Sequence, residues 1–277
     1  MALNWKLPHR LETPDGMVQY NIVGTGAPLV LVHGTPWSSV TWHRLVPALT
    51  DRYRVHLYDL IGFGQSDMRD GQDVSLARQG ALLAELLHHW QLIDPIVIAH
   101  DIGGATSLRA HLLHVANYRA LALLDPVAVA PWGSPFFAHV AKHREAFAGL
   151  PDYVHKAVVE IYVRGALSAP IEEADFDALV APWLTPAGQD AFYRQMAQAQ
   201  QRDTDEIEPR YGAVRCPTLI LWGENDPWIP VERGRQLHAA IPGSQFRTIP
   251  NAGHLLQLEA PDAVTKTVLD FLATQPD

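Results

Sequence analysis

The sequence has very little cysteine, no excess of basic residues and no long apolar run. One cysteine, Cys216, among 277 residues excludes an intramolecular disulfide framework and a zinc site built on several cysteines. No uninterrupted apolar stretch approaches the roughly 20 residues that a membrane-spanning helix needs, and residues 1–10 lack the apolar core of a secretory signal. The net charge of −9 counts against nucleic acid, which binds to basic surfaces. We therefore expect a soluble cytoplasmic protein without a nucleic-acid or membrane partner.

Short apolar runs alternate with amphipathic stretches along most of the chain. Such runs are typical of buried parallel strands, and they occupy residues 28–32, 53–58, 96–99, 121–124, 218–222 and 246–249. Residues 75–90 and 260–273 each place their apolar side chains on one helical face. Residues 10–12 and 18–23 have the pattern of an edge hairpin. The alternation predicts an α/β fold with a mostly parallel sheet flanked by helices.

The alternation is interrupted once, between the fourth and fifth apolar runs. This stretch has no convincing strand. Its helix-like segments are residues 153–164, 176–180 and 190–201. We expect residues 127–210 to form a helical cap on a core that is made of residues 1–126 and 211–277. Such an insertion would cover the carboxyl edge of the sheet, where open α/β sheets bind their ligands.

A sharp turn with small residues follows the third apolar run. In the sequence AHDIGG, which begins at Ala99, small residues lie two positions before and two positions after Asp101. A strand, a strained turn and then a helix make up a nucleophile elbow, in which the crowded backbones leave room only for small neighbours. The alternative is an ordinary turn in which Asp101 is the N-cap of the helix.

The candidate acid and base follow the last two apolar runs. Asp226 comes after the fifth run, and His254 comes after the sixth. The order nucleophile, acid, histidine, with each residue at the carboxyl end of a strand, is that of the α/β-hydrolase triad. Asp125 ends the fourth run and is a competing acid, unless it only caps its strand.

The turn His33-Gly34-Thr35-Pro36 follows the first apolar run. We expect it to aim the backbone N–H of Thr35 at the site, beside the N–H of Ile102, so that the two form an oxyanion hole. The His33 side chain is expected to be structural.

These motifs resemble the α/β-hydrolase superfamily over nearly the whole chain, as does the loop Asp59–Ser66 (DLIGFGQS). An aspartate at the elbow resembles one branch, which contains epoxide hydrolases, haloalkane dehalogenases and fluoroacetate dehalogenases. The resemblance implies that Asp101 attacks carbon to give an alkyl-enzyme ester, which water activated by His254 then hydrolyses. Asp226 would orient the imidazole. No metal or organic cofactor is implied.

The leaving group distinguishes the activities of this branch. Haloalkane dehalogenases place N–H donors for the halide where this chain has Ile102 and Thr35, so the usual pair is absent. Fluoroacetate dehalogenases carry arginines next to the nucleophile, and here Ile102 and Ala105 take those positions. Three indoles could replace the halide donors or could simply pack in the interior: Trp37, Trp132 and Trp183.

Epoxide hydrolases of this branch protonate the ring oxygen with two cap tyrosines. Phe192-Tyr193-Arg194 resembles the segment that carries one of them, and Tyr153 and Tyr162 are candidates for the other. The aromatic residues of the predicted cap indicate a small hydrophobic substrate, which would react with water. We expect an epoxide hydrolase. The alternatives are a haloalkane dehalogenase, an ester or lactone hydrolase, and a non-catalytic ligand-binding protein.

Overall fold

A sheet of eight strands lies at the centre of the computed structural model, which describes residues 3–275. The strands are β1 (His9–Thr13), β2 (Gly16–Val23), β3 (Ala27–Val32), β4 (Tyr53–Tyr58), β5 (Ile96–His100), β6 (Ala120–Leu124), β7 (Thr218–Gly223) and β8 (Gln245–Ile249). Their spatial order is β1-β2-β4-β3-β5-β6-β7-β8. β2 pairs antiparallel with β1 and β4, and the other neighbours pair parallel. The predicted edge hairpin and parallel strands are confirmed.

Helices cover both faces of this sheet. They are α1 (Val46–Thr50), α2 (Leu76–His89), α3 (Ile102–Leu113), α4 (Pro135–Lys142), α5 (Arg144–Ala148), α6 (Asp152–Arg164), α7 (Glu173–Val180), α8 (Pro186–Gln198), α9 (Arg202–Asp205), α10 (Val231–Ala240), α11 (Leu256–Glu259) and α12 (Pro261–Leu272). Short 3₁₀ turns occupy Ser39–Trp42, Ala181–Leu184 and Glu208–Ala213. Within residues 3–275, no helix combines the length and the apolar character that crossing a membrane would require.

The apolar core lies on the two faces of the sheet. Successive side chains of a strand point to opposite faces, so in β3 the side chains of Leu29 and Leu31 join one core cluster while Val30 and Val32 join the other. Because both faces are buried, the central strands consist of apolar residues without alternating polar ones. This arrangement explains why the strands could be recognised as continuous apolar runs.

The segment between β6 and β7 contains helices and no strand, as expected. Its elements run from α4 to α9 and include two of the 3₁₀ turns. The predicted helices of this segment are present, although α8 begins four residues before its predicted start and ends three residues before its predicted end, because Pro186 and the N-cap Thr185 start it early. The division into a core and a cap with the boundaries given above stays a prediction.

The first turn of α3 packs tightly against the end of β3. A Cβ atom at Gly103 would overlap the backbone carbonyl oxygens of Val32 and His33, neither of which can rotate away. This close approach allows α3 to begin directly behind β5, and it explains the need for small residues in the turn that precedes the helix.

We predict that Gly103→Ala destabilises the protein by about 1–3 kcal/mol through overpacking, although alanine favours a helix over glycine elsewhere. The free energy of unfolding is measured by urea denaturation. Gly212→Ala is the matched control, because a Cβ there would meet no atom within 4 Å. Equal stability of the two variants would contradict the packing argument.

Candidate active site

Asp101 occupies a strained turn between β5 and α3. Its backbone has φ 54° and ψ −125°, a conformation that costs a non-glycine residue about 1–3 kcal/mol. The surrounding backbone holds it in place: its N–H donates to the carbonyl of Leu124, and its own carbonyl accepts from the N–H groups of Gly104 and Val127. Strain maintained by such contacts is typical of functional turns. The geometry is that of a nucleophile elbow rather than of an N-cap, because the side chain caps no helical N–H.

His254 lies between two carboxylates. Its Nε2 is 3.2 Å from Oδ2 of Asp101, and its Nδ1 is 2.8 Å from Oδ2 of Asp226. The second oxygen of Asp226 accepts the backbone N–H groups of Trp228 and Ile229, at 2.7 and 2.9 Å. These bonds fix the Asp226 carboxylate, and it in turn fixes the imidazole. The structure therefore brings together the three predicted triad residues.

The two carboxylates determine the protonation of His254. Complete burial lowers the pKa of this imidazole, but the charge of Asp226, the hydrogen bonds that the imidazole donates to both carboxylates and the charge of Asp101 outweigh it, so that the pKa lies well above its usual value. A carboxylate that became an ester would lose its charge. Conversion of Asp101 to an ester would therefore lower the pKa of His254 and release the imidazole to act as a base.

The backbone of His254 is held from both sides. Its N–H donates to the carbonyl of Ala166, which belongs to the helical segment after α6. Its carbonyl accepts a hydrogen bond of 2.8 Å from Nε2 of His100. Burial and, to a smaller degree, the neighbouring His254 lower the pKa of His100 to about 3, so His100 is a neutral donor at ordinary pH.

Asp125, the competing acid, is buried beside the site but makes no hydrogen bond to His254. Its Oδ1 accepts the N–H of Gly223 at 2.9 Å and so links the ends of β6 and β7. Burial, reinforced by the charge of Asp226, raises the pKa of Asp125 well above its usual range. Asp125 thus joins the ends of two strands, whereas Asp226 makes the contact with the imidazole.

The loop after β3 supplies a backbone donor to Asp101. The N–H of Thr35 lies 2.6 Å from Oδ1 of Asp101. Ile102 is the first residue of α3, where N–H groups have no acceptor within the helix, and it lines the same cavity as Asp101. The two predicted oxyanion-hole residues therefore line the same cavity as the carboxylate, and Thr35 donates to it. His33 is structural as expected, since its Nε2 accepts the N–H of Leu60 at 2.8 Å.

A cavity of about 320 Å³ opens above Asp101. Its volume is at the small end of the range for ligand sites. The walls come from the loop after β3, the elbow, the loop after β6, helices α4 and α6, and the loop after β7: Thr35, Asp101, Ile102, Val127, Trp132, Gly133, Ser134, Pro135, Phe137, Tyr162, Pro227, Trp228 and Ile229. Among these described residues there is no lysine or arginine, so the walls offer an apolar substrate mainly aromatic and aliphatic contacts.

Tyr162 is the tyrosine that reaches this cavity. Its ring packs against the indole of Trp228, with the ring centroids 4.7 Å apart, and Trp228 in turn packs against His254 at 5.1 Å. Burial and the nearby negative charge of Asp101 raise the pKa of Tyr162 well above 10. The phenol therefore keeps its proton, so it can act as a hydrogen-bond donor.

The other predicted tyrosines do not reach the cavity, and these two predictions were wrong. Tyr193 is fully buried, with its hydroxyl 2.9 Å from Nδ1 of His155. Because Nε2 of His155 must donate to the carbonyl of Trp183, Nδ1 accepts and Tyr193 is the donor. Tyr153 is 78% exposed, since it lies two residues, or about 200° around α6, from the buried His155.

Two of the three candidate indoles donate their N–H groups to other parts of the protein. Nε1 of Trp183 donates to the carbonyl of Pro36 at 2.7 Å, and Nε1 of Trp132 donates to the hydroxyl of Thr204 at 2.7 Å. Trp37 is buried and stacks on Trp228, with the centroids 5.6 Å apart. Of the three, only Trp132 lines the cavity. Trp132 and Trp183 thus use their N–H groups within the protein, whereas Nε1 of Trp37 is buried without a hydrogen-bond partner among residues 3–275 and Trp37 does not line the cavity.

Two residues of the site were missed in the sequence. Trp228 follows Asp226 by two positions and covers His254, so its place just after the predicted acid was a usable signal. Gln195 accepts a hydrogen bond from the hydroxyl of Thr35, although the two residues lie 160 positions apart. No local pattern could have indicated that contact.

The arrangement has relatives among known proteins. A model of the alpha/beta hydrolase family matches residues 29–267. This chain belongs to that family. An α/β-hydrolase-fold protein from Burkholderia ambifaria, known from its crystal structure, is 48% identical with a TM-score of 0.94, and the match covers 98% of this chain and 100% of that one.

Two curated members of the family indicate the range of its chemistry. The 2-hydroxy-6-oxo-2,4-heptadienoate hydrolase of Pseudomonas putida is 29% identical over 280 residues, which cover 94% of this chain and 95% of that protein. Haloalkane dehalogenase 2 of Mycobacterium tuberculosis is 26% identical over 272 residues, which cover 94% and 92%. Both relatives are hydrolases, and so is this chain, whereas their substrates differ from each other.

We predict that Asp226→Asn lowers kcat by about 10³- to 10⁴-fold, because an amide no longer fixes the tautomer or stabilises the imidazolium. Asp125→Asn should change kcat by less than about tenfold, since the asparagine carbonyl can still accept the N–H of Gly223. Steady-state rates of both folded variants provide the measurement. The opposite ranking would identify Asp125 as the triad acid.

Proposed function

We propose that this hydrolase opens epoxides of small apolar molecules through an ester with Asp101. One observation carries the proposal: Tyr162, whose phenol keeps its proton, lines the same cavity as the Asp101 carboxylate that His254 contacts. A carboxylate can displace a leaving group from carbon. The oxygen of an opening epoxide ring needs a proton donor, and the phenol of Tyr162 is suited to donate that proton.

In the first step, the oxygen of Asp101 that Thr35 does not hold attacks a ring carbon. The new C–O bond forms as the ring C–O bond breaks, and its electron pair stays on the ring oxygen. The Tyr162 hydroxyl donates its proton to that oxygen, and the phenolate is reprotonated through solvent by the proton that His254 releases when ester formation lowers its pKa. The product is a hydroxyalkyl ester of Asp101.

In the second step, His254 removes a proton from water as the water oxygen attacks Cγ of Asp101. The carbonyl oxygen becomes an oxyanion, which the N–H groups of Thr35 and Ile102 stabilise. When this intermediate collapses, the bond between Cγ and the alkoxide oxygen breaks, and the alkoxide takes the remaining proton of the attacking water. The diol leaves, the Asp101 carboxylate is restored with one oxygen from water, and His254 keeps the proton that it removed.

The charge of Asp101 coordinates the two steps. While Asp101 is ionised, its charge and hydrogen bond help to keep His254 protonated. Ester formation removes that charge, and Asp226 alone then holds the imidazole. We infer that His254 becomes an effective base only after the covalent bond has formed. Before that, the protonated imidazole cannot activate water.

Dehalogenation is less well supported by the same residues. A departing halide needs N–H donors in the cavity, and the indoles of Trp132 and Trp183 already donate to protein oxygens. Attack of Asp101 on an ester substrate is also less well supported than attack on an epoxide, because a carboxylate that attacks an acyl carbon gives an anhydride. The proposed small hydrophobic substrate and the cytoplasmic location remain predictions.

We predict that His254→Gln traps the covalent ester on Asp101. After incubation with styrene oxide, intact-protein mass spectrometry should find an increase by one styrene oxide, and peptide mapping should assign it to Asp101. Asp101→Asn/His254→Gln is the control and should remain unmodified. Styrene oxide hydrolysis by the wild type, without any adduct in His254→Gln, would contradict the covalent mechanism.

We predict that Tyr162→Phe slows ester formation from an epoxide about 30- to 1000-fold. This range corresponds to the roughly 2–4 kcal/mol that one donor to a developing oxyanion contributes. Single-turnover rates of adduct formation in the His254→Gln background provide the measurement. Tyr153→Phe, a change on the outer face of the same helix, is the matched control and should have no effect. An unchanged rate in Tyr162→Phe would exclude this phenol as the acid.

A further inference from the structure

Helix α8 reaches the oxyanion-hole loop through one side chain. Gln195 is 3% exposed, and its Oε1 accepts a hydrogen bond of 2.6 Å from the hydroxyl of Thr35. Its Nε2 donates to the backbone carbonyl of Phe192 at 3.0 Å, one turn earlier in the same helix. Both ends of this amide are therefore satisfied inside the protein.

The hydrogen-bond directions follow from the chemistry of the partners. The carbonyl of Phe192 can only accept, so the NH₂ group of Gln195 must face it and the oxygen must face Thr35. The Thr35 hydroxyl has a single proton, which this oxygen receives. Hence that hydroxyl has no proton left for a substrate, and the backbone N–H is the donor that Thr35 can offer to Asp101.

The backbone N–H of Thr35 is at the same time in contact with the candidate nucleophile. It lies 2.6 Å from Oδ1 of Asp101, while the side chain of the same residue is anchored by Gln195. Thr35 is thus held from two sides, and a loop held this way keeps its N–H preorganised, which is what an oxyanion donor requires.

We propose that Gln195 is a positioning residue for ester hydrolysis: through the Thr35 hydroxyl, it keeps the Thr35 N–H aimed at the oxyanion that forms on Asp101. The inference rests on the proposed function, since it assigns Gln195 to the second of its two steps. It also makes the helical segment between β6 and β7 a contributor to the oxyanion hole and not only to the substrate cavity.

This role affects the two steps unequally. Attack on the epoxide uses the oxygen of Asp101 that Thr35 does not hold, whereas hydrolysis of the ester develops charge on the oxygen that faces the Thr35 N–H. Loss of a whole oxyanion donor costs about 10²- to 10³-fold. A misplaced donor should cost less, so we expect Gln195→Met to slow ester hydrolysis about tenfold or more, with ester formation changed less than about threefold.

The experiment measures both steps in single turnovers with styrene oxide, by rapid quenching and intact-protein mass spectrometry. The variants are Gln195→Met, Thr35→Val and their combination, all of which retain the backbone N–H. If Gln195 acts through the Thr35 hydroxyl, the double variant should hydrolyse its ester no more slowly than either single variant. Thr35→Ser keeps a hydroxyl and should restore hydrolysis to near the wild-type rate.

Gln198→Met is the matched control. Gln198 lies one turn later in α8, where its Oε1 accepts the N–H of Val74 and its Nε2 donates to the carbonyl of Gln72. The same substitution there removes partly buried amide contacts of α8 without touching the oxyanion loop. It should leave the ratio of the two rates unchanged, which separates a positioning effect from a general loss of helix packing.

The possible results distinguish this inference from the proposed function. Two results would overturn the role of Gln195 but leave the proposed function intact. One is normal adduct formation with equal rates of ester hydrolysis in the Gln195→Met and Gln198→Met variants. The other is additive effects of Gln195→Met and Thr35→Val in the double variant. If Gln195→Met does not fold, Thr35→Val against Thr35→Ser tests the same bond from its other end. Absence of any adduct in His254→Gln would overturn the proposed function and this inference with it.

Discussion

The site depends on the confinement of one carboxylate, that of Asp101, in a turn that its own backbone disfavours. The positive φ of Asp101 is maintained by hydrogen bonds to the neighbouring strand and helix, and its two oxygens are divided between the Thr35 N–H and His254. This division gives the oxygens different chemistry. One is held where an oxyanion would form, and the other faces the imidazole and the cavity.

Three buried or nearly buried aspartates surround one histidine, and their surroundings give them different roles. Asp226 is an acceptor of two backbone N–H groups and of the imidazole. The side chain of Asp125 accepts a backbone N–H, and burial raises its pKa well above the usual range. Burial therefore disfavours a third negative charge beside the imidazolium. Identical side chains are thus distinguished by the donors around them.

The helical segment between β6 and β7 contributes more than a cover for the cavity. It supplies Tyr162 to the cavity wall, the carbonyl of Ala166 to the backbone of His254, and Gln195 to the hydroxyl of Thr35. Each contact crosses to a different loop at the carboxyl edge of the sheet. The indole N–H groups of Trp132 and Trp183 in this segment donate to protein oxygens.

Local features of the sequence predicted the strands and the positions of Asp101, Asp226 and His254 at the ends of three of them. They also predicted the order of nucleophile, acid and histidine along the chain. Apolar runs define buried strands, and parallel strands bring the residues after them to one edge of the sheet. The choice of tyrosine and the link between Gln195 and Thr35 could not be predicted in this way. They depend on how helices α6 and α8 rotate and pack: a shift of two residues on α6 separates the exposed Tyr153 from the buried His155, and Gln195 meets Thr35 across 160 residues of chain. Contacts of that kind arise only when the tertiary structure fixes the orientation of each helix, since the sequence periodicity specifies a buried face but not the neighbour that it meets.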